Sequence, residues 1–284
     1  MRVPLDKLLG EIEQEKNNEL KAEIRRIVPH FAGFTFRDYE QILKELARKY
    51  AIVPFRDYRK SSGPRLILRH DIEAFVEPAL QMAKVEQKLG ISSTYFVLLS
   101  SRLYNPSEKT SFETLTEISR MGHEIGLHYD VSMYAECGRP PRETLDIELR
   151  LLGHLLGNEV RAISRHNPSI QSFPDPFVHM RELMNAYDVE FTEDAHYVSD
   201  SCRAWYLEDL LYLLLRNPGK VQLLIHPDSW TATRCGSDQM LAMRFRQLGK
   251  EDRRDETLWK DEWKTSERVA RYGKSLEVVR KRLL

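Results

Sequence analysis

The feature that most constrains this chain is a rhythm. Short apolar runs alternate with longer segments whose apolar residues recur every three or four positions, at about 30 residues per unit. The strand-like runs are "RLILRH", "STYFVLL", "EIGLH", "VRAISRH", "VEFTEDA" and "VQLLIHP". Between them stand helix-like segments such as "VEPALQMAKVEQKLG", "SFETLTEISRMG", "PRETLDIELRLLGHLLG" and "LEDLLYLLLRNPG". Each of these ends in a glycine (Gly90, Gly122, Gly157 or Gly219), the usual residue past a helix C-terminus. Strands joined by helical crossovers run parallel, so the pattern predicts an α/β fold of repeated βα units around a parallel sheet.

Three stretches divide the chain. Residues 1–34 read as a helical extension, with Leu5, Leu8, Leu9 and Ile12 on one stripe, lying outside the main core. Residues 35–236 hold the βα units, entered through a helix carrying Tyr39, Ile42, Leu43, Leu46 and Tyr50 on one face. No repeat and no Gly/Ser-rich linker interrupts them, which predicts one domain. Residues 237–284 are charged and helical in composition and are expected to pack against the barrel or a partner. With 42% apolar residues there is enough to bury a real core. Basic and acidic residues balance at 43 each, which excludes a global field for nucleic acid or an anionic membrane surface. Three cysteines without a CxxC argue against a disulfide framework. With no apolar run of signal-peptide or membrane-spanning length, a soluble cytoplasmic protein is expected.

The polar residues fall in a pattern of their own. "LILRHDIE", "EIGLHYD", "AISRHNPS" and "LLIHPD" each end an apolar run in a histidine, and three of them add carboxylates. In parallel α/β folds the C-terminal strand ends converge on one face, so these residues are expected to meet. Asp71 and Glu73 are two positions apart and share one side of an extended chain, so both carboxylates can enter one pocket. They also suit helix N-caps. Arg69, His70 and Arg165 are expected to form salt bridges to these acids. His30, His154, His179 and His196 lack the strand-end placement and read as structural or surface residues. Trp205 and Trp230 stand near the last strand ends, as core or as faces for a sugar ring. Nothing marks Cys202 as a nucleophile.

"LRHDIE" followed by "GHEIGLHYD" resembles the polysaccharide deacetylases of carbohydrate esterase family 4, and within them the divergent branch with an LRHDVD-type first motif. "SRHNPS", "YVSDSCRAWY" and "LLIHPDSW" follow in the order of the later motifs, so the resemblance covers about residues 35–230. It implies a distorted (β/α) barrel, here with extra N- and C-terminal helices, and metal-dependent removal of acetyl from an N-acetylated sugar. On this resemblance Asp71 is the catalytic base, and Glu73 stands where the family has its metal-binding Asp. His128 is a metal ligand, His226 the general acid and Asp200 the residue that orients it. Arg165 or His166 falls at the third motif, where the family has an arginine supporting the base. The second motif normally carries another histidine, at a position that is Ser132 here. Asp130 or His166 can take its place, and His166 is preferred because it ends a neighbouring strand. The expected ligands are therefore Glu73, His128 and His166, a set that favours zinc among divalent ions.

Three functions compete. The leading one is a deacetylase acting on an N-acetylated sugar or glycan precursor in surface-polysaccharide biosynthesis, of O-antigen or capsule kind. The absence of a signal peptide favours a nucleotide-linked or lipid-linked precursor over a finished wall polymer. The second is a hydrolase of another C–N amide bond, N-formyl or cyclic. The third is a catalytically inactive glycan-binding protein on the same fold, kept in play by Ser132. The termini leave room for a homo-oligomer.

Overall fold

The structure, a computed structural model, describes residues 3–168, 174–178, 180, 182–247 and 267–284. His179 and the middle of the charged C-terminal segment lie outside them. Eight strands form one sheet: β1 (Ala51–Val53), β2 (Arg65–Ile72), β3 (Thr94–Leu98), β4 (Glu124–Tyr129), β5 (Ala162–Arg165), β6 (Met184–Asn185), β7 (His196–Ser199) and β8 (Lys220–Ile225). The spatial order is β6-β5-β4-β3-β2-β8-β7, with every pairing parallel, and β1 pairs with the first half of β2. Strands β3 and β4 are buried throughout, as expected when helices cover one face and the sheet curls around the other.

The curl is visible in what meets across it. Arg69 of β2 donates to Ser164 of β5, three strands further along the sheet. Gln222 of β8 donates from Nε2 to the carbonyls of Ala186 (3.1 Å) and Phe191 (2.8 Å), which follow β6. No pairing joins β6 to β7 among the described residues, so the barrel is distorted and open there. Its lower interior is filled by Phe55, Tyr58, Ile67, Phe96 and Phe191, in edge-to-face contacts such as Phe55–Phe191 at 4.9 Å. Gly126 is required by this packing. A Cβ there would lie 2.5 Å from the Phe96 ring and 2.9 Å from the Ala162 carbonyl oxygen.

Helices α1 (Leu5–Gln14), α2 (Asn18–Phe31) and α3 (Phe36–Leu46) precede the sheet, α4 (Phe55–Tyr58), α5 (Val76–Lys88), α6 (Lys109–Arg120), α7 (Val131–Glu136), α8 (Pro141–Leu156), α9 (Val189–Thr192) and α10 (Leu207–Arg216) join the strands, and α11 (Ser237–Gln247) and α12 (Glu267–Leu283) follow. The N-terminal helices correct one expectation, because they are not outside the main core. Leu8, Leu9 and Ile12 of α1 and Ile24, Ile27, Val28 and Phe31 of α2 belong to the same buried cluster as Leu66, Leu68, Val221 and Leu223 of the sheet. Their apolar stripes have no other place to bury. Val279 and Leu283 of α12 join that cluster, and Met240, Leu241 and Phe245 of α11 pack on Ala74, Phe75 and Leu103.

Two local expectations are also corrected. "VEFTEDA" is not a strand: Val189–Thr192 is the short helix α9, and strand β7 begins only at His196. A single aromatic anchor, Phe191, turns inward there between Phe55 and Tyr58, so the backbone coils rather than alternates. Gly90, Gly122 and Gly157 do take positive φ, but α10 stops two residues before Gly219, at Asn217 with φ 47°. Asparagine tolerates that conformation, and Pro218 cannot continue the helix.

Candidate active site

Six strands deliver residues to one cavity of about 650 Å³ at their C-terminal ends. Asp71 and Glu73 come from the end of β2, Leu98, Ser100, Ser101, Arg102 and Leu103 from the end of β3 and the loop after it, and His128 and Asp130 from the end of β4. Arg165, His166 and Asn167 follow β5, Ser199, Ser201 and Cys202 follow β7, and His226 and Asp228 follow β8. The charged end of the buried strand β2 thus opens into a cleft, as expected for a parallel α/β fold.

Glu73, His128 and His166 form the tightest group. Glu73 Oε1 lies 3.3 Å from His128 Nε2 and 3.1 Å from His166 Nδ1, and those two nitrogens are 3.3 Å apart. A tetrahedron with metal–ligand bonds of about 2.0–2.1 Å has edges of roughly 3.3–3.4 Å, so the triangle has the dimensions of three zinc ligands. The other ring nitrogens are also held. His128 Nδ1 faces the Ser164 carbonyl at 3.0 Å, which keeps its proton on that side and leaves Nε2 free. The Asn167 amide meets His166 Nε2 at 3.0 Å. Burial opposes ionisation of Glu73, but the neighbouring imidazoles outweigh it and hold the carboxyl well below its usual range. A donor set of two imidazoles and one carboxylate fits a divalent metal.

Asp71 lies beside this triangle, its Oδ2 3.7 Å from His128 Nε2. It accepts from Arg69 Nε at 2.9 Å on one oxygen and from Arg69 Nη2 at 2.7 Å on the other, with both residues buried. Desolvation pushes Asp71 up, yet Arg69 and His128 win and its pKa falls below the ordinary value. The guanidinium gripping the acid is therefore Arg69's, two residues back on the same strand face and one of the residues expected to bridge these carboxylates. Arg165 lines the same cavity.

On the other side stands His226. Its Nδ1 is 2.7 Å from Asp200 Oδ1, which also accepts from the His226 backbone N–H at 2.9 Å. Trp230 Nε1 donates to the other Asp200 oxygen at 2.8 Å, so the carboxylate is fully engaged and buried. Burial alone would lower the imidazole's pKa. The hydrogen bond and charge of Asp200, with Glu73 and Asp71 beyond, instead raise it to about 9. Donor atoms of Asp71, Glu73 and His226 all lie within 4.8 Å of one another.

One expectation shifts, and the alternatives left open at Asp130 and at the two tryptophans are narrowed. His70 does not join the cavity or pair with Asp71 or Glu73. It points to the opposite face of β2, 2.9 Å from Glu86, and stacks on Tyr95 at 4.2 Å. Asp130 lines the cavity but spends Oδ1 capping α7 through the N–H groups of Ser132 (3.0 Å) and Met133 (3.2 Å). Ser132 therefore belongs to that cap, and His166 occupies the third corner. Trp205 and Trp230 are core residues, 1% and 0% exposed, and neither lines the cavity. Sequence reasoning missed Ser164, which braces His128 and Arg69, and Asp228, which accepts from the N–H of Ala74 (3.2 Å) and Phe75 (2.9 Å) just after Glu73. Burial, with Glu73 nearby, pushes Asp228 up to about 7.

No protein-family profile and no curated protein matches the chain. Solved structures do. A CE4-family pseudoenzyme from Bacillus anthracis is 14% identical with a TM-score of 0.34, and a mutant of it with restored enzymatic activity is 14% identical at 0.36. The chain spans only 61% and 62% of those two structures, with 66% and 65% of its own length covered. The catalytic domain of a peptidoglycan N-acetylglucosamine deacetylase from Eubacterium rectale is 14% identical at a TM-score of 0.41, over 66% of this chain and 85% of that one. A peptidoglycan deacetylase from Bacillus subtilis is 15% identical at 0.37, over 68% and 98%. The first two carry the name of the family whose motifs the sequence resembles. The chemistry of this chain has to be read from its own site.

Proposed function

We propose that the protein is a divalent-metal-dependent hydrolase that removes the acetyl group from an N-acetylated sugar of a surface-polysaccharide precursor. The observation that carries this reading is the Glu73–His128–His166 triangle, flanked by an arginine-held carboxylate on one side and a carboxylate-held imidazole on the other. Glu73, His128 and His166 would hold the ion, with zinc favoured by the donor set. When bound, a divalent ion polarises the amide carbonyl and lowers the pKa of a water from about 16 to about 7.

The remaining work falls to side chains. Asp71, ionised and fixed by Arg69, accepts the proton of the attacking water. His226, protonated at neutral pH, donates from Nε2 to the departing amine, which cannot leave as an anion. Asp200 keeps the proton on Nδ1 and the ring in place, and Trp230 keeps Asp200 in place. The surviving acid and base favour this over a glycan-binding protein without activity, and the same machinery suits N-formyl or cyclic amides as the alternative substrates.

The test is acetate release from a panel of N-acetylated sugars and their nucleotide-linked forms, with and without a chelator. Release that stops on chelation and returns with zinc is expected. Release that persists in the metal-free protein would overturn the proposal. Formate release or ring opening without acetate release would move the substrate class to the alternative.

A further inference from the structure

One wall of the cavity takes no part in that chemistry. It follows β7, where Ser199, Ser201 and Cys202 face the cavity, and Arg268 from the first turn of α12 completes it. Arg268 donates from Nε to the Ala204 carbonyl at 2.9 Å and from Nη2 to the Ser199 carbonyl. Its guanidinium lies over the Tyr206 ring, 4.4 Å from the centroid. All of these partners are neutral. Among the described residues Arg268 forms no ion pair, and its Nη1 has no hydrogen bond. Asp200 acts on it through space only, and both Asp200 oxygens are committed to His226 and Trp230.

A guanidinium keeps its charge at any physiological pH, and a partly desolvated charge with only neutral partners is unfavourable. The two carbonyls and the Tyr206 ring fix the plane of the fork, leaving the third nitrogen for something that enters the cavity. Arg102 and Arg165 line the same cavity from the β3 and β5 sides. Among the described residues no anion pairs with Arg268, and a neutral sugar would not either. A group with several anionic oxygens matches the planar donors of arginine.

We propose that this wall is an oxyanion subsite anchored by Arg268, and that the sugar acted on carries a phosphoryl group, as nucleotide-linked and lipid-linked precursors do. That the ligand is a sugar rests on the deacetylase reading, whereas the oxyanion subsite rests on Arg268 and its neutral surroundings.

Calorimetric titration of the zinc-loaded full chain tests it with four probes. These are N-acetylglucosamine 1-phosphate, its uridine diphosphate conjugate, a short-chain prenyl diphosphate conjugate and the neutral methyl glycoside. At least one phosphorylated probe is expected to bind about tenfold or more tightly than the methyl glycoside. Whichever conjugate binds best identifies the nucleotide or lipid source. In Arg268→Gln that ratio should fall below about threefold. In the wild type alone, rising salt or added inorganic phosphate should erode it, which keeps the test decisive if the variant does not fold. Equal affinity for all four probes, or a preference that survives Arg268→Gln, would overturn the subsite. The two readings fail separately. Phosphoryl preference without acetate release sinks the deacetylase and leaves the subsite, and acetate release without preference does the reverse.

Discussion

Removing the arginine beneath Asp71 should cost far more than removing an ordinary side chain. Arg69 is 0% exposed and Asp71 2%, and the pair is bidentate. Arg69→Met would leave the Asp71 carboxylate buried without its counter-charge, and breaking such a pair from one side costs about 3–5 kcal/mol. Part of that loss belongs to Gln222, Ser164 and Tyr187, which also accept from Arg69. A double-mutant cycle separates the parts. Asp71→Asn alone should also be costly, because it strands the guanidinium. Combined with Arg69→Met it should cost less than the sum by roughly 2–3 kcal/mol. For a chain of this size about 4 kcal/mol corresponds to a Tm lower by roughly 8–16 °C. Urea unfolding of the metal-free protein gives the free energies, and the metal-free state keeps any ion out of the comparison. Additive losses, with coupling under about 0.5 kcal/mol, would refute the reasoning that Arg69 exists to neutralise Asp71.

Other outcomes follow from the same geometry. His226 must be protonated to act as the acid and its pKa is raised to about 9, so kcat should hold through neutral pH and fall as pH climbs past that value. His226→Gln should lower kcat about 10²–10⁴-fold and abolish that limb, and a variant whose basic limb is unchanged would exclude the role. Gly126→Ala should destabilise by about 1–3 kcal/mol, because its Cβ would overlap Phe96; an unchanged Tm would contradict the packing. Burial pushes Glu148 up to about 7, against its partner Tyr134. Its folded pKa lies above the unfolded 4.5, so its contribution to stability is present below pH 4.5 and lost as pH rises through 7. The Tm of Glu148→Gln relative to wild type should therefore increase across that window, and a difference independent of pH would exclude it.

What was legible in the sequence was the part carried by long, regular signals. The strands that deliver Asp71, Glu73, His128, His166 and His226 are apolar runs ending in charge, and burial fixes both their extent and their direction. Strands β1 and β6 span three and two residues, too short for any periodicity to reveal. The place of His70 is legible in the same pattern. The alternation that puts Arg69, Asp71 and Glu73 on one side of β2 also puts His70 on the other, where Glu86 receives it. Arg268 could not be found, because it reaches the cavity from the opposite end of the chain and no local pattern marks it. Asp228 and Ser164 act by bracing other residues, so their meaning depends on three-dimensional neighbours the sequence does not show.

Elemental analysis of the purified protein beside His128→Ala tests the metal centre most directly. About one zinc or similar divalent ion per chain is expected in the wild type, and its loss in the variant, because His128 supplies one corner of the triangle. A wild-type protein that holds no metal, and takes up none from added zinc, manganese or cobalt, would contradict the metallohydrolase and leave the glycan-binding alternative in its place.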